Sequence, residues 1–172
     1  MSVLALRAQI REDLAVHDGD WTRPGFRAIA AYRIGVWRMG VGPKWLRAPL
    51  TLFYNWAFRH CRNVYGIELP YTCTIGRRVR IEHQGGIVVH GATVIGDDCI
   101  IRQNCTLGIR RLDQLHDAPI LEDGVNVGAG AVILGRVTIG TGAAIGANAV
   151  VLTDVPAGAL ATGVPATVRL RG

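Results

Sequence analysis

Three of the five histidines in this 172-residue chain fall in two polar stretches, EHQGGIVVHG (Glu82–Gly91) and IRRLDQLHDAP (Ile109–Pro119). The first sets His83 and His90 near Glu82. The second gathers Arg110, Arg111, Asp113, His116 and Asp117. An imidazole titrates close to neutral pH, so a histidine held in place can take a proton from a weak acid and return it. The arginines could meet phosphate or carboxylate groups, although a solvated loop accounts for them equally. Nothing chemical is assigned to His17 or His60. Cysteine chemistry is not expected either, because Cys99 and Cys105 fall at small inward positions of the repeat described next. With no CxxC pair, no metal site is predicted.

These residues interrupt a regular pattern. An aliphatic residue returns every six positions at Ile75, Ile81 and Ile87, then at Ile95, Ile101 and Leu107. It returns again at Leu121, Val127, Ile133, Ile139, Ile145 and Val151. Glycine often follows directly, as at Gly76, Gly96, Gly108, Gly128, Gly140 and Gly146. Four positions after each aliphatic comes something small or β-branched, such as Val79, Cys99, Cys105, Val125, Ala131, Ala143 or Ala149. Such a hexad makes one flat side of a triangular coil: the aliphatic points inward, the small residue fits near the corner, and Gly or Asn permits the turn. Twelve hexads in register predict about four turns, with shorter extensions at either end. The register slips twice. Ile87 to Ile95 spans eight residues, and Leu107 to Leu121 spans fourteen, so the second stretch must loop out of the coil. A coil needs only to stack, and its interruptions are where function concentrates.

The composition changes near Gly66. Residues 1–66 hold ten Lys/Arg against four acids, which accounts for the whole formal charge of +6. They also hold all four Trp, whereas 16 of the 22 Gly come later. The chain divides into a helical N-terminal segment, 1–66, and a coil domain, 67–172, with an extruded loop near 109–119. In Trp45–Arg62, apolar residues at Leu46, Leu50, Phe53 and Ala57, with Trp45, Pro49, Leu52 and Trp56, form a wide face beside a stripe of Arg47, Thr51, Asn55 and Arg59. A second, shorter helix runs through Phe26, Ala30, Ile34 and Trp37 and ends in Gly40–Pro43. These helices are expected either to pack on the coil or to rest a basic, aromatic face on a membrane surface or acidic partner. No nucleic-acid motif accompanies the charge. The N-terminal residues break any apolar run with Arg and acids, so the chain is expected in the cytoplasm, with an inner-membrane-face contact left open.

The run IEHQGGIVVHGATVIGDDCIIRQNCTLG, with NVGAGAVILG, AAIGANAVVL and TGVPA, resembles the serine acetyltransferase-like branch of the left-handed parallel β-helix acyltransferases. The resemblance covers residues 66–168. It implies a mainly β fold, a left-handed parallel β-helix with a short α-helical N-terminal segment, and homotrimers that bind acetyl-CoA between neighbouring coils; pairing of trimers is left open. His83 matches the family's catalytic histidine, which acts as general base on the acceptor hydroxyl, and Glu82 stands where the family has an acid. Gly108, Ala129 and Ala147 match small residues that let the CoA arm lie against the coil. Four positions depart from the family. Its orienting Asp is Ile67 here, with Glu68 adjacent; its second histidine is Ala118, with His116 two residues earlier; and lysines of its last coils are Val132 and Ala144.

Those departures, with the segment YRIG (Tyr32–Gly35) and the opening GIELP, also resemble O-acetyltransferases of surface-polysaccharide synthesis. The leading expectation is therefore acetyl transfer to a sugar or polysaccharide-precursor hydroxyl, with His83, Glu68 and His116 as catalytic residues. The alternatives are serine O-acetylation for cysteine biosynthesis and a non-catalytic hexapeptide-repeat scaffold. The interruption at His83 argues against the scaffold, which has no need to break register there.

Overall fold

The computed structural model describes residues 2–170. Three helices, α1 (Val3–Val16), α2 (Pro24–Met39) and α3 (Lys44–Tyr65), precede the coil. The Ser2 hydroxyl accepts the Ala5 N–H at 3.2 Å and caps α1, while Pro24 opens α2 where its missing N–H has no partner to lose. Gly66 ends α3 at φ 65°, and its missing side chain leaves room for the backbone of Gly85 and Gly86.

The first coil is β1 (Ile67–Glu68), β2 (Thr74–Ile75) and β3 (Arg80–Ile81); the second is β4 (Ile87–Val89), β5 (Val94–Ile95) and β6 (Ile100–Ile101). The third is β7 (Thr106–Gly108), β8 (Ile120–Leu121) and β9 (Asn126–Val127), and the fourth is β10 (Val132–Leu134), β11 (Thr138–Ile139) and β12 (Ala144–Ile145). A fifth uses β13 (Val150–Val151), a parallel bridge of Val155 to Ile139, and β14 (Leu160–Thr162), on which β15 (Thr167–Arg169) folds back antiparallel. Strands of successive coils pair in parallel and build three faces, which we call A (β1, β4, β7, β10, β13), B (β2, β5, β8, β11) and C (β3, β6, β9, β12, β14, β15). The fold is the left-handed parallel β-helix. It completes five coils where the hexads predict about four. The additional rungs escape the count because Ile67 precedes Ile75 by eight residues, Val155 follows Val151 by four, and Ala161 takes an aliphatic position.

The core is a column of inward residues in which Ile67, Ile87, Leu107, Ile133 and Ile139 are wholly buried. Small corner residues fill between rungs: Val79, Cys99, Val125, Ala143 and Ala159 are equally inaccessible. The first register slip is absorbed inside β4, which supplies two inward residues. Ile87 pairs with Ile67 below it, and Val89 pairs with Leu107 above. A shift of two residues preserves which side chains point inward, whereas a shift of one would reverse them.

The helices close the open end of the coil, as solenoids require of their terminal units. The Tyr32 hydroxyl donates to the Cys73 carbonyl at 3.0 Å and accepts the Ile75 N–H at 2.9 Å. Arg33 donates to the Ile75 and Gly76 carbonyls and forms a buried two-pronged pair with Asp13 of α1, at 2.9 and 3.2 Å. Burial pushes the Tyr32 hydroxyl up to about 12, so it stays protonated and able to donate. Gly35 leaves space for the ring of Tyr54 and the Cβ of Tyr71, and the guanidinium of Arg38 lies 4.4 Å from the centre of each tyrosine ring. The expectation of packing on the coil holds for α2 but only partly for α3. That helix turns Tyr54 and Cys61 inward and leaves Trp45, Leu52, Phe53 and Trp56 exposed, so its wide apolar face is divided between core and surface.

Candidate active site

Between β3 and β4 the chain turns the corner from face C to face A through Glu82–Gly86. His83 takes φ 66°, Gly85 φ 99° and Gly86 φ 63°. A non-glycine residue in the left-handed region costs about 1–2 kcal/mol, and the corner holds His83 there with its side chain exposed. The ring borders a cavity of about 250 Å³ whose other walls are Arg23, Pro24, Gly25, Ile81 and Gln84. The helical segment fixes this cavity from below. Gly25 brings α2 onto the Ile81 carbonyl, closer than any side chain would allow. The buried ring of His17 donates from Nδ1 to the Asp13 carbonyl at 2.6 Å and accepts the Ile81 N–H on Nε2 at 3.2 Å. His17, assigned nothing from sequence, thus ties α1 to the strand that leads into His83.

Neither nearby carboxylate orients that ring within one chain. Glu82 is held by Arg102 at 2.9 Å and Arg80 at 3.4 Å, and Arg80 in turn meets Asp18 at 2.9 Å. Glu68 sits half-buried on face A, opposite Val88, and no hydrogen bond joins it to His83 among the described residues. Two of the positions that depart from the family pattern are closed to solvent: Ile67 is wholly buried and Ala118 is 3% exposed.

Ala129 and Ala147 continue the corner that His83 begins. The Asn104 N–H donates to the Gly85 carbonyl at 2.8 Å, Gly130 to Gln103 at 2.9 Å, and Asn148 to Ala129 at 2.8 Å. Gly86, Asn104, Gly130 and Asn148 all adopt positive φ, so one left-handed corner is stacked on the next. A single edge of the prism therefore runs from His83 past Gln103 and Ala129 to Ala147, with small residues at the third and fourth coils. Gly108 lies at the far end of face A, where an added Cβ would come 3.3 Å from Leu134. His116 is exposed in the loop that follows Gly108, at the corner between faces A and B. One chain therefore holds His83 and His116 on different edges.

In the same loop Arg111 is engaged by Asp113 at 2.7 and 2.9 Å, and the stem of Arg110 lies over Gly135. The Arg110 guanidinium has no hydrogen bond or ion pair among the described residues. Leu112 and Leu115 are exposed at the tip, at 87% and 57%. His90 accepts the Ala92 N–H at 3.2 Å and serves a local turn. Burial pushes the Cys61 and Cys99 thiols up to about 11 and Cys73 to about 12, which disfavours the thiolate a nucleophile needs. Among the described residues, no cluster of His, Cys, Asp and Glu could hold a metal ion.

Residues 118–153 match the family described as bacterial transferase hexapeptide (six repeats). The serine acetyltransferase of Salmonella typhimurium is 39% identical over 144 residues, covering 84% of this chain and 50% of its own length. That of Mycobacterium tuberculosis is 34% identical, covering 84% and 60%. Among solved structures, soybean serine acetyltransferase complexed with serine superposes with a TM-score of 0.81 at 32% identity, covering 95% of this chain and 69% of that one. The chain spans about half the length of the Salmonella relative. With the same overall fold and 32% identity to a solved serine acetyltransferase along nearly its whole length, the chain belongs to the serine acetyltransferase family of hexapeptide-repeat transferases.

Proposed function

We propose that this chain is an acetyltransferase that moves the acetyl group of acetyl-CoA to the hydroxyl of serine, with His83 as general base. The observation that carries the reading is the edge itself. An exposed histidine, held on a left-handed corner, shares one edge with Ala129 and Ala147, with Gln103 at the intervening coil. A hydroxyl is a poor nucleophile at neutral pH. His83 takes its proton as the oxygen attacks the thioester carbonyl; the new C–O bond forms, the C–S bond breaks, and the imidazolium returns the proton to the departing sulfur. Bound acetyl-CoA supplies the activated acyl group. Ala129 and Ala147 leave room for its extended arm, and Arg110 provides a guanidinium for a phosphate now that Val132 and Ala144 stand where lysines are expected.

The complete site lies, on this reading, between copies in a homotrimer. His83 and the 109–119 loop occupy different edges of one prism, and threefold packing brings the edge of one copy to the loop of the next. His116 then acts on the neighbour's site. The relatives named above favour serine over the sugar acceptor expected from sequence. The sugar reading retains one observation: buried Ile67 and Ala118 offer no polar group at two positions where the family presents one.

The test is thiol release from acetyl-CoA by the purified chain, with L-serine and with sugars as acceptors. Release with serine, falling about 10²–10⁴-fold in His83→Ala, is expected. Release only with sugars would move the acceptor to the second reading, and no release with any acceptor would overturn acetyl transfer.

A further inference from the structure

The outward face of α3 carries an aromatic strip with charge of one sign. Trp45, Leu52 and Trp56 are 71%, 72% and 63% exposed and follow one another at helical spacing, with half-exposed Phe53 beside them. α3 contains Lys44, Arg47, Arg59 and Arg62 and no Asp or Glu. None of these cations has a carboxylate partner among the described residues. The acids of the helical segment are engaged elsewhere: Glu12 with Arg77, Asp13 with Arg33, Asp18 with Arg23 and Arg80, and Asp20 with Arg23. Beside the strip opens a cavity of about 310 Å³ with walls that include Trp21, Phe26, Phe53, Trp56 and Tyr65.

We propose that α3 docks the protein on an anionic phospholipid surface. The helix lies in the plane of the interface, with Trp45, Leu52, Phe53 and Trp56 at the level of the headgroups and upper acyl chains. Lys44, Arg59 and Arg62 meet lipid phosphates. Tryptophan and arginine are the residues that favour this boundary, and a basic amphipathic helix binds it by buried apolar area together with attraction to anionic lipid. No described helix is long and apolar enough to cross a membrane, so the contact is peripheral. A second copy seated face to face would set cation against cation, since α3 offers no acid to receive them. The inference is independent of acetyl transfer and of the acceptor.

The experiment is flotation of the full chain with phosphatidylcholine vesicles, pure or containing about a quarter phosphatidylglycerol, at low and high salt. Flotation with the anionic vesicles alone, reduced by salt and accompanied by a blue shift of tryptophan emission, is expected. Arg59→Gln with Arg62→Gln should lower partitioning about 25-fold, from roughly fivefold per basic residue. Trp45→Ser with Trp56→Ser should abolish the blue shift. All four side chains are exposed, and thermal melts matching the parent would confirm that the variants fold. Failure to float at low salt, equal flotation on neutral vesicles, or unchanged binding by both variants would overturn the proposal. So would a fall in solution mass on Trp45→Ser with Leu52→Ser, which would show that a second copy covers the face.

Discussion

His17 and His83 show how residue type alone under-determines role. Both are histidines followed by an acid or amide in a polar context, yet one is wholly buried and the other exposed. Burial pushes the His17 ring below its ordinary value of 6.5. Above that value the ring is neutral in both folded and unfolded chains and contributes no pH dependence. As pH falls below it, the unfolded chain takes up a proton that the folded ring refuses, so stability is lost until the lowered folded value is passed. Denaturant titrations from pH 7 down to pH 5 should therefore show wild type losing its advantage over His17→Gln; parallel curves would refute the assignment. The cysteines invite a second test at this scale. With all four buried and their thiols raised by desolvation, the native protein should resist alkylation at neutral pH and react fully only in denaturant.

At the scale of elements, the joint between helices and coil contains one buried ion pair. Asp13 is 1% exposed and Arg33 3%, and together they connect α1, α2 and the Ile75–Gly76 corner. Removing one partner strands the other's charge in the interior, so Asp13→Ala should cost about 3–5 kcal/mol of unfolding free energy. Replacing the exposed partner in Arg111–Asp113, a pair wholly within the loop, should leave stability unchanged. Equal losses in both would mean that the buried pair does not carry the joint. The hexad period made the coil's rungs legible from sequence. It could not reveal that β4 spans two registers or that Gly25 seats α2 on Ile81, because both depend on segments distant in the chain.

For the whole molecule, the separation of His83 and the 109–119 loop onto two edges makes a prediction about assembly. If each site takes its edge from one copy and its loop from the next, mixing His83→Ala chains with chains lacking the loop tip restores some sites. Random mixing in a trimer should return roughly a quarter of wild-type sites, although each variant alone is inactive. Recovery near zero, with mixed trimers demonstrated by mass, would place the whole site within one copy. Deletion of the loop tip itself should leave the melting temperature nearly unchanged, because Leu112 and Leu115 are largely exposed.

The sequence by itself determined the coil, the place of its interruptions and the confinement of charge to residues 1–66. Each is written in local spacing: a six-residue period reads out as flat sides because every side repeats the same burial requirement. It also marked His83, Ala129 and Ala147, which lie along one edge because each follows a face C strand at the same corner of its coil. Only the tertiary structure decided which polar residues are free to act. Glu82 is taken by two arginines, Glu68 makes no hydrogen bond to His83, and His17 is drawn inside to hold Ile81. Those outcomes follow from pairings between residues up to 64 positions apart, set by how the helices close the first coil. The exposure of half of α3 was settled in the same way, since an apolar stripe does not specify which part of it the core will use.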